Sequence, residues 1–195
     1  MEFNEHEIYH IYNRGNNKQQ IFFKPANYLF FLQKVRKFIL PHCDILNYSL
    51  MPNHFHLLIY ADERTVVNKI TGSNEQNILS EGLRNLLSSY SQAINKQEGR
   101  TGSLFTQNTK AKCMNLGSIS YGTTCFHYIH QNAYKAGLVN RMEDWEYSSF
   151  RAFIGLRHGT LCNKKLAFDV LDLNEETFYE DAYKVINGFD VKFIF

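Results

Sequence analysis

The stretch that most restricts what this chain can fold into runs from Cys43 to Tyr60. It holds two strand-like runs, Cys43 to Leu50 and His54 to Tyr60, joined only by Met51-Pro52-Asn53. A Pro-Asn connection that short points to an antiparallel hairpin. The segment before it opens with Pro25 and carries apolar residues at Tyr28, Leu29, Phe31, Leu32, Val35, Phe38 and Ile39. That is the spacing of a helix with one apolar face. Earlier still, Ile8 to Asn13 reads as a strand stopped by Arg14-Gly15-Asn16-Asn17.

After the hairpin, Glu63 to Asn77 reads as a polar connection. A second helix then places Ile78, Leu79, Leu83, Leu86, Leu87, Tyr90, Ala93 and Ile94 on one face and ends near Gln97-Glu98-Gly99. Gly102 to Met114 is expected to be a fourth strand. Ser118 or Ser120 is expected to cap a third helix that runs through Tyr121, Cys125, Tyr128 and Ile129 to about Ala136, with Gly137 as its stop. This order predicts an α+β fold: a ferredoxin-like, split βαβ antiparallel sheet with helices on one face, plus the third helix and a C-terminal helical tail. The expected division is a main domain over 1–142 and an extension over 143–195 that packs on it. Within the extension, one or two short helices are expected between Val170 and Ile186.

Composition narrows the class. With 44% hydrophobic residues over 195 positions, the chain can build a real core, and no low-complexity tract argues for disorder. Its apolar runs are too short to cross a bilayer, so no membrane partner is expected. The polar, acidic N-terminus does not resemble a secretory signal. Cys43, Cys113, Cys125 and Cys162 are scattered without a CxxC pair, which suits reduced thiols in a cytoplasmic protein.

The formal net charge of +2 hides a separation. From Ile8 to Ala61, Asp44 is the one acid against six basic residues, and from Gly99 to Met142 five basic residues meet no acid. Together those stretches carry +10 and the rest of the chain −8. A polyanion would be drawn to the first set, provided the fold brings the two stretches together. Within them, Arg14, Lys18, Arg100, Lys110, Lys112 and Lys135 are the candidate phosphate contacts.

His54 and His56 alternate with Phe55 and Leu57, so both imidazoles leave one face of the strand. Two imidazoles side by side can chelate a metal ion, although a lone His-x-His is as readily a pair of half-exposed sheet residues. On the third helix, Tyr128 and Asn132 are four apart and share a face. A helix crossing the sheet there would bring a phenol and an amide oxygen over the imidazoles. A phenol is a weak nucleophile unless a cation stabilises the charge that develops during attack. His127 and His130 point elsewhere on that helix and are expected at the surface; Trp145 is expected to dock the tail.

At this point the chain resembles a known family. Tyr9-His10-Ile11-Tyr12-Asn13-Arg14-Gly15 with Ile21-Phe22, then Tyr48-Ser49-Leu50-Met51-Pro52-Asn53-His54-Phe55-His56-Leu57-Leu58, resembles the single-tyrosine HUH transposases. Among these, it is similar to the transposases associated with repetitive extragenic palindromes. Gly99-Arg100-Thr101-Gly102-Ser103-Leu104-Phe105, Tyr128-Ile129-His130-Gln131-Asn132, Ala136-Gly137-Leu138-Val139 and Trp145-Glu146-Tyr147-Ser148-Ser149 follow in the family's order.

The resemblance implies a DNA strand-transferase acting on single-stranded, hairpin-flanked DNA. His54 and His56 would hold Mg²⁺ or Mn²⁺, with Asn132, or its neighbour Gln131, as a third ligand. Tyr128 would be the nucleophile, forming a 5′-phosphotyrosine link, and a homodimer is expected. Two imidazoles suit Mn²⁺ better than Mg²⁺. The chain departs from the family pattern at Ala133-Tyr134-Lys135, where a Pro usually follows the Asn. It departs again at Gln107-Asn108-Thr109-Lys110, where a more basic run is usual. Two other readings stand beside this one. The first is a domesticated binder of structured DNA or RNA that no longer cleaves, for which the histidine–tyrosine trio would be unnecessary. The second is a metal-dependent hydrolase, for which nearby carboxylates are missing.

Overall fold

The computed structural model describes residues 1–71, 74–114, 119–184 and 186. Its main sheet has four antiparallel strands: β1 (Ile8–Arg14), β2 (Asp44–Met51), β3 (His54–Tyr60) and, after a smaller hairpin, β6 (Lys110–Cys113). They lie in the order β2-β3-β1-β6. This is the expected split βαβ arrangement, with the first and third strands central. The hairpin of β4 (Asn68–Thr71) and β5 (Asn74–Asn77) forms a separate two-stranded sheet, where a plain connection was expected.

Alternation along β1, β2 and β3 sorts side chains between two cores. Ile11, Phe55, Leu57 and Ile59 face α1 (Pro25–Phe38) and α2 (Ile78–Gln97), burying Phe31, Val35, Leu86 and Tyr90 with them. Pro25 opens α1, and Asn27 Oδ1 accepts from the backbone N–H groups of Phe23 and Lys24. Asn77 caps α2 by accepting from Ser80 N at 3.0 Å. Gly82 lets the two helices close: a Cβ there would stand 2.2 Å from the carbonyl oxygen of Phe38.

The opposite face carries α3 (Ile119–Lys135), which lies across β2 and β3. Ile8, Leu46 and Leu58 of the sheet meet Phe126 and Ile129 of α3 there. The chain beyond residue 142 closes this second core with Phe150 of α4 (Phe150–Phe153), Ala167 of α5 (Lys164–Val170) and Phe178 of α6 (Phe178–Tyr183). A bulge in β2 between Ile45 and Asn47 turns Asn47 toward α3, where its amide donates to Phe126 O at 2.8 Å. That buried bond pins α3 to the sheet.

Several expectations change in detail. The fourth strand covers only Lys110–Cys113, because residues from Gly102 onward are held as an irregular segment touching β1 through the Gly15–Phe105 bridge. Ser118, one of the expected caps of α3, lies outside the described residues. Of the one or two short helices expected between Val170 and Ile186, α6 is one, while Val170 itself ends α5. Trp145 donates to Leu50 O at 3.1 Å and packs on Tyr28 and Tyr147, so it docks the start of the extension against α1 and β2. Among the described residues, no helix is long and apolar enough to cross a membrane.

Candidate active site

Strand register assembles the site. Across the face under α3, Lys110, Tyr12, His56 and Ser49 form one row, and Arg14 with His54 the next. Lys112 lies opposite His10 in the row behind. The His54 and His56 rings stand edge to face with centroids 4.9 Å apart. Tyr128 approaches from α3 with its ring centroid 6.1 Å from that of His56 and nearly perpendicular to it. Phe55, between the two histidines, is fully buried in the other core.

Asn132, one turn after Tyr128, joins the two elements. Its amide nitrogen donates to Tyr128 O at 3.1 Å, and its side chain stands close enough to the His54 imidazole and the Tyr128 hydroxyl to influence both ionisations. Gln131 turns to the tail instead, donating to Ala182 O and Lys184 O. Of the two amides considered as a third ligand, Asn132 is therefore the one beside the histidines.

Burial sets the protonation states. It lowers the pKa of His54, with Asn132 pulling weakly the other way, and holds His56 well below the usual imidazole range, helped by His10 and His54 nearby. Both rings are neutral at pH 7 and keep a lone pair to offer. His54 Nδ1 donates to Asn53 Oδ1 at 2.6 Å, and Asn53 Nδ2 in turn donates to Lys18 O, which fixes the amide's orientation. The lone pair of His54 is thus on Nε2. Burial pushes the Tyr128 phenol up to about 12. As it stands it is a proton-bearing, unreactive hydroxyl.

A cleft of about 700 Å³ opens beside this set, lined by Tyr12, Arg14, Lys18, His54, His56 and Lys110 among others. Three of the six expected cations therefore line the same cleft as the histidine pair. Lys135 follows Asn132 by three residues on the exposed end of α3, on the face that carries Tyr128. Arg100 is elsewhere: its guanidinium donates to Gln19 Oε1 at 2.8 Å and ties the segment after α2 to the turn after β1.

Two histidines expected at the surface are buried. His130 bonds Ser149 Oγ at 2.8 Å, and His127 packs beside Phe178, because the extension covers that side of α3. Sequence reasoning also passed over His10 and Asn53, whose contacts reach the histidine pair directly. The alternation His10-Ile11-Tyr12 was the available signal, since it puts His10 and Tyr12 on the face opposite the core residue Ile11.

Comparison with solved structures gives a counterpart for this fold. A REP-associated tyrosine transposase solved with a REP hairpin bound is similar over 80% of this chain and 86% of that one, with a TM-score of 0.57 and 15% identity. The chain shares its fold with a tyrosine transposase. No protein-family model and no curated protein matches the sequence.

Proposed function

We propose that this protein is a divalent-metal-dependent DNA strand-transferase that cleaves and rejoins single-stranded, hairpin-flanked DNA through Tyr128. The observation that carries this reading is the meeting of His54 and His56 of β3 with Tyr128 and Asn132 of α3 beside a cation-lined cleft. The similar transposase, solved with a hairpin, adds support for the class of substrate.

The donor set fits a divalent ion. Among the described residues, no group of three or more His, Cys, Asp or Glu side chains is placed to hold a metal. An ion would therefore rest on two neutral imidazoles and the Asn132 amide oxygen, leaving positions for substrate oxygens. When bound, it would supply positive charge to the scissile phosphate and to the oxygen attacking it.

The chain's own residues do the rest. Arg14, Lys18 and Lys110 draw the phosphodiester backbone into the cleft, and the rigid sheet under α3 holds Tyr128 where it can meet a phosphate beside His56. Attack forms a bond between Tyr128 Oη and phosphorus and breaks the bond from phosphorus to the 3′-oxygen. The phenol gives up a proton and the departing 3′-oxygen gains one. One phosphate ester replaces another, so the reverse step can join a new 3′-hydroxyl without a nucleotide triphosphate.

The test is an adduct assay. Mn²⁺ and a labelled single-stranded hairpin substrate should yield a denaturation-resistant protein–DNA species, and Tyr128→Phe should abolish it. Cleaved DNA without an adduct would favour the hydrolase reading. Binding without cleavage at any metal concentration would favour the non-cleaving binder.

A further inference from the structure

His10 is fully buried on β1, on the face beneath α3. Its ladder partners are Leu58 on one side and Lys112 on the other, and His56 is its diagonal neighbour. An imidazole fully buried beside Leu58 is costly unless it is hydrogen-bonded, and an aliphatic side chain would fill that place at less expense. What the imidazole gains is a specific contact: His10 Nε2 lies 2.8 Å from His56 Nδ1. The two rings are nearly parallel with centroids 5.0 Å apart, and Tyr12 stacks on His10 from the same strand at 4.7 Å. The position of His10 is thus set by packing as well as by its bond.

A bond between two neutral imidazole nitrogens has one donor and one acceptor. If His10 donates, the proton of His56 sits on Nε2 and that nitrogen cannot bind a metal. If His56 donates from Nδ1, its Nε2 keeps the lone pair. His54 already shows the second arrangement, because its Nδ1 donates to the Asn53 side-chain oxygen Oδ1. We propose that His10 is a positioning residue that accepts a hydrogen bond from His56 Nδ1 and so fixes the His56 tautomer that carries its lone pair on Nε2, the atom that would ligate a metal.

The inference rests on the reading of His56 as a metal ligand. It gives each of the two histidines its own supporting acceptor, Asn53 for His54 and His10 for His56. It also assigns His10 a role outside the ligand set, since its Nε2 is committed to His56. Supporting acceptors of this kind typically change metal affinity by 10–100-fold.

The decisive measurement needs neither metal nor DNA. Two-bond ¹H–¹⁵N correlation of the histidine rings in the metal-free, full-length protein at pH 7.5 should show His56 protonated at Nδ1 and His10 unprotonated at Nε2. A proton on His56 Nε2 would overturn the proposal without any variant. His10→Phe should then leave His56 a mixture of tautomers and weaken Mn²⁺ binding, read by calorimetry, by about 10–100-fold. His10→Gln, whose amide oxygen can stand near the position of Nε2, should restore most of both. Unchanged Mn²⁺ affinity and tautomer in His10→Phe would also overturn it, and if that variant fails to fold, the wild-type spectrum still decides. The underlying metal-site reading fails in a different way: the wild-type protein would bind no Mn²⁺, or His56→Ala would bind it as well as wild type.

Discussion

Gln131 Nε2 donates to the carbonyl oxygen of Ala182 at 2.7 Å and, at 2.9 Å, to that of Lys184. The next residue, Asn132, donates its amide nitrogen to Tyr128 O and lies beside the His54 imidazole. Two adjacent amides of α3 therefore do separate jobs, one holding the C-terminal segment and the other facing the histidines. Gln131→Ala should lower unfolding free energy by about 1–3 kcal/mol, since it leaves the buried Ala182 carbonyl without its donor. Asn132→Ala should cost less stability but reduce Mn²⁺ affinity and adduct formation. Urea unfolding and the adduct assay on both variants test this split, and equal effects of the two changes in both assays would refute it.

Asn53 should matter through His54. Asn53→Ala removes the acceptor that holds the His54 proton on Nδ1. Mn²⁺ affinity measured by calorimetry should fall by about 10–100-fold, with the far-ultraviolet circular dichroism unchanged. An unaltered affinity would mean that this bond does not orient the ligand.

Acid should unfold the protein through its buried histidines. Burial, partly opposed by Asp181, lowers His127 to about 4 from an ordinary value of 6.5, and burial holds His130 well below that ordinary value too. Both are neutral in the fold but protonate in the unfolded chain below about pH 6.5, so the unfolded chain binds more protons there. Stability is full above that pH and falls as pH drops toward 4, by roughly 1.4 kcal/mol per unit for His127, with His130 adding to the fall. Urea titrations at pH 7.5, 6 and 5 should show the decline, and His127→Gln should flatten it. A variant that declines as steeply as wild type would remove His127 from the account.

Cations that line the cleft should differ from one that does not. Arg14→Ala, Lys18→Ala and Lys110→Ala should each weaken hairpin-DNA binding and reduce the slope of log K against log salt by about 1. Arg100→Ala should leave that slope alone and lower stability, because its guanidinium is bonded to Gln19. Fluorescence anisotropy at several salt concentrations separates the two behaviours. A slope change for Arg100→Ala equal to the others would extend the DNA face to the segment after α2.

Much of the site could be read in the sequence because it depends on local periodicity. The alternation of His54, Phe55, His56 and Leu57 put both imidazoles on one face, and the four-residue step from Tyr128 to Asn132 put phenol and amide on another. Where the reading fell short, distant residues decide. On α3 itself Phe126 packs on both His127 and His130, but Phe150, Phe153 and Phe178 complete their burial from the far end of the chain. The expected long fourth strand gives way because Asn13 on β1 ties Thr106 and Thr109 through its side chain, bending that segment off the ladder. The β4–β5 hairpin lacks apolar alternation and pairs largely polar residues, so nothing in its composition announced strands.

The short strand β6 ends the sheet on one side, and two of its four residues are lysines. An open strand edge invites pairing with other chains, and brevity together with lysine is a recurrent deterrent. Lys110 and Lys112 thus guard against aggregation whatever they do for nucleic acid. Replacing both with alanine would strip that guard while probing DNA attraction, and any loss of soluble protein would blur the result. Glutamate at the same two positions reverses the attraction and keeps a charge on the exposed edge, which makes it the cleaner substitution.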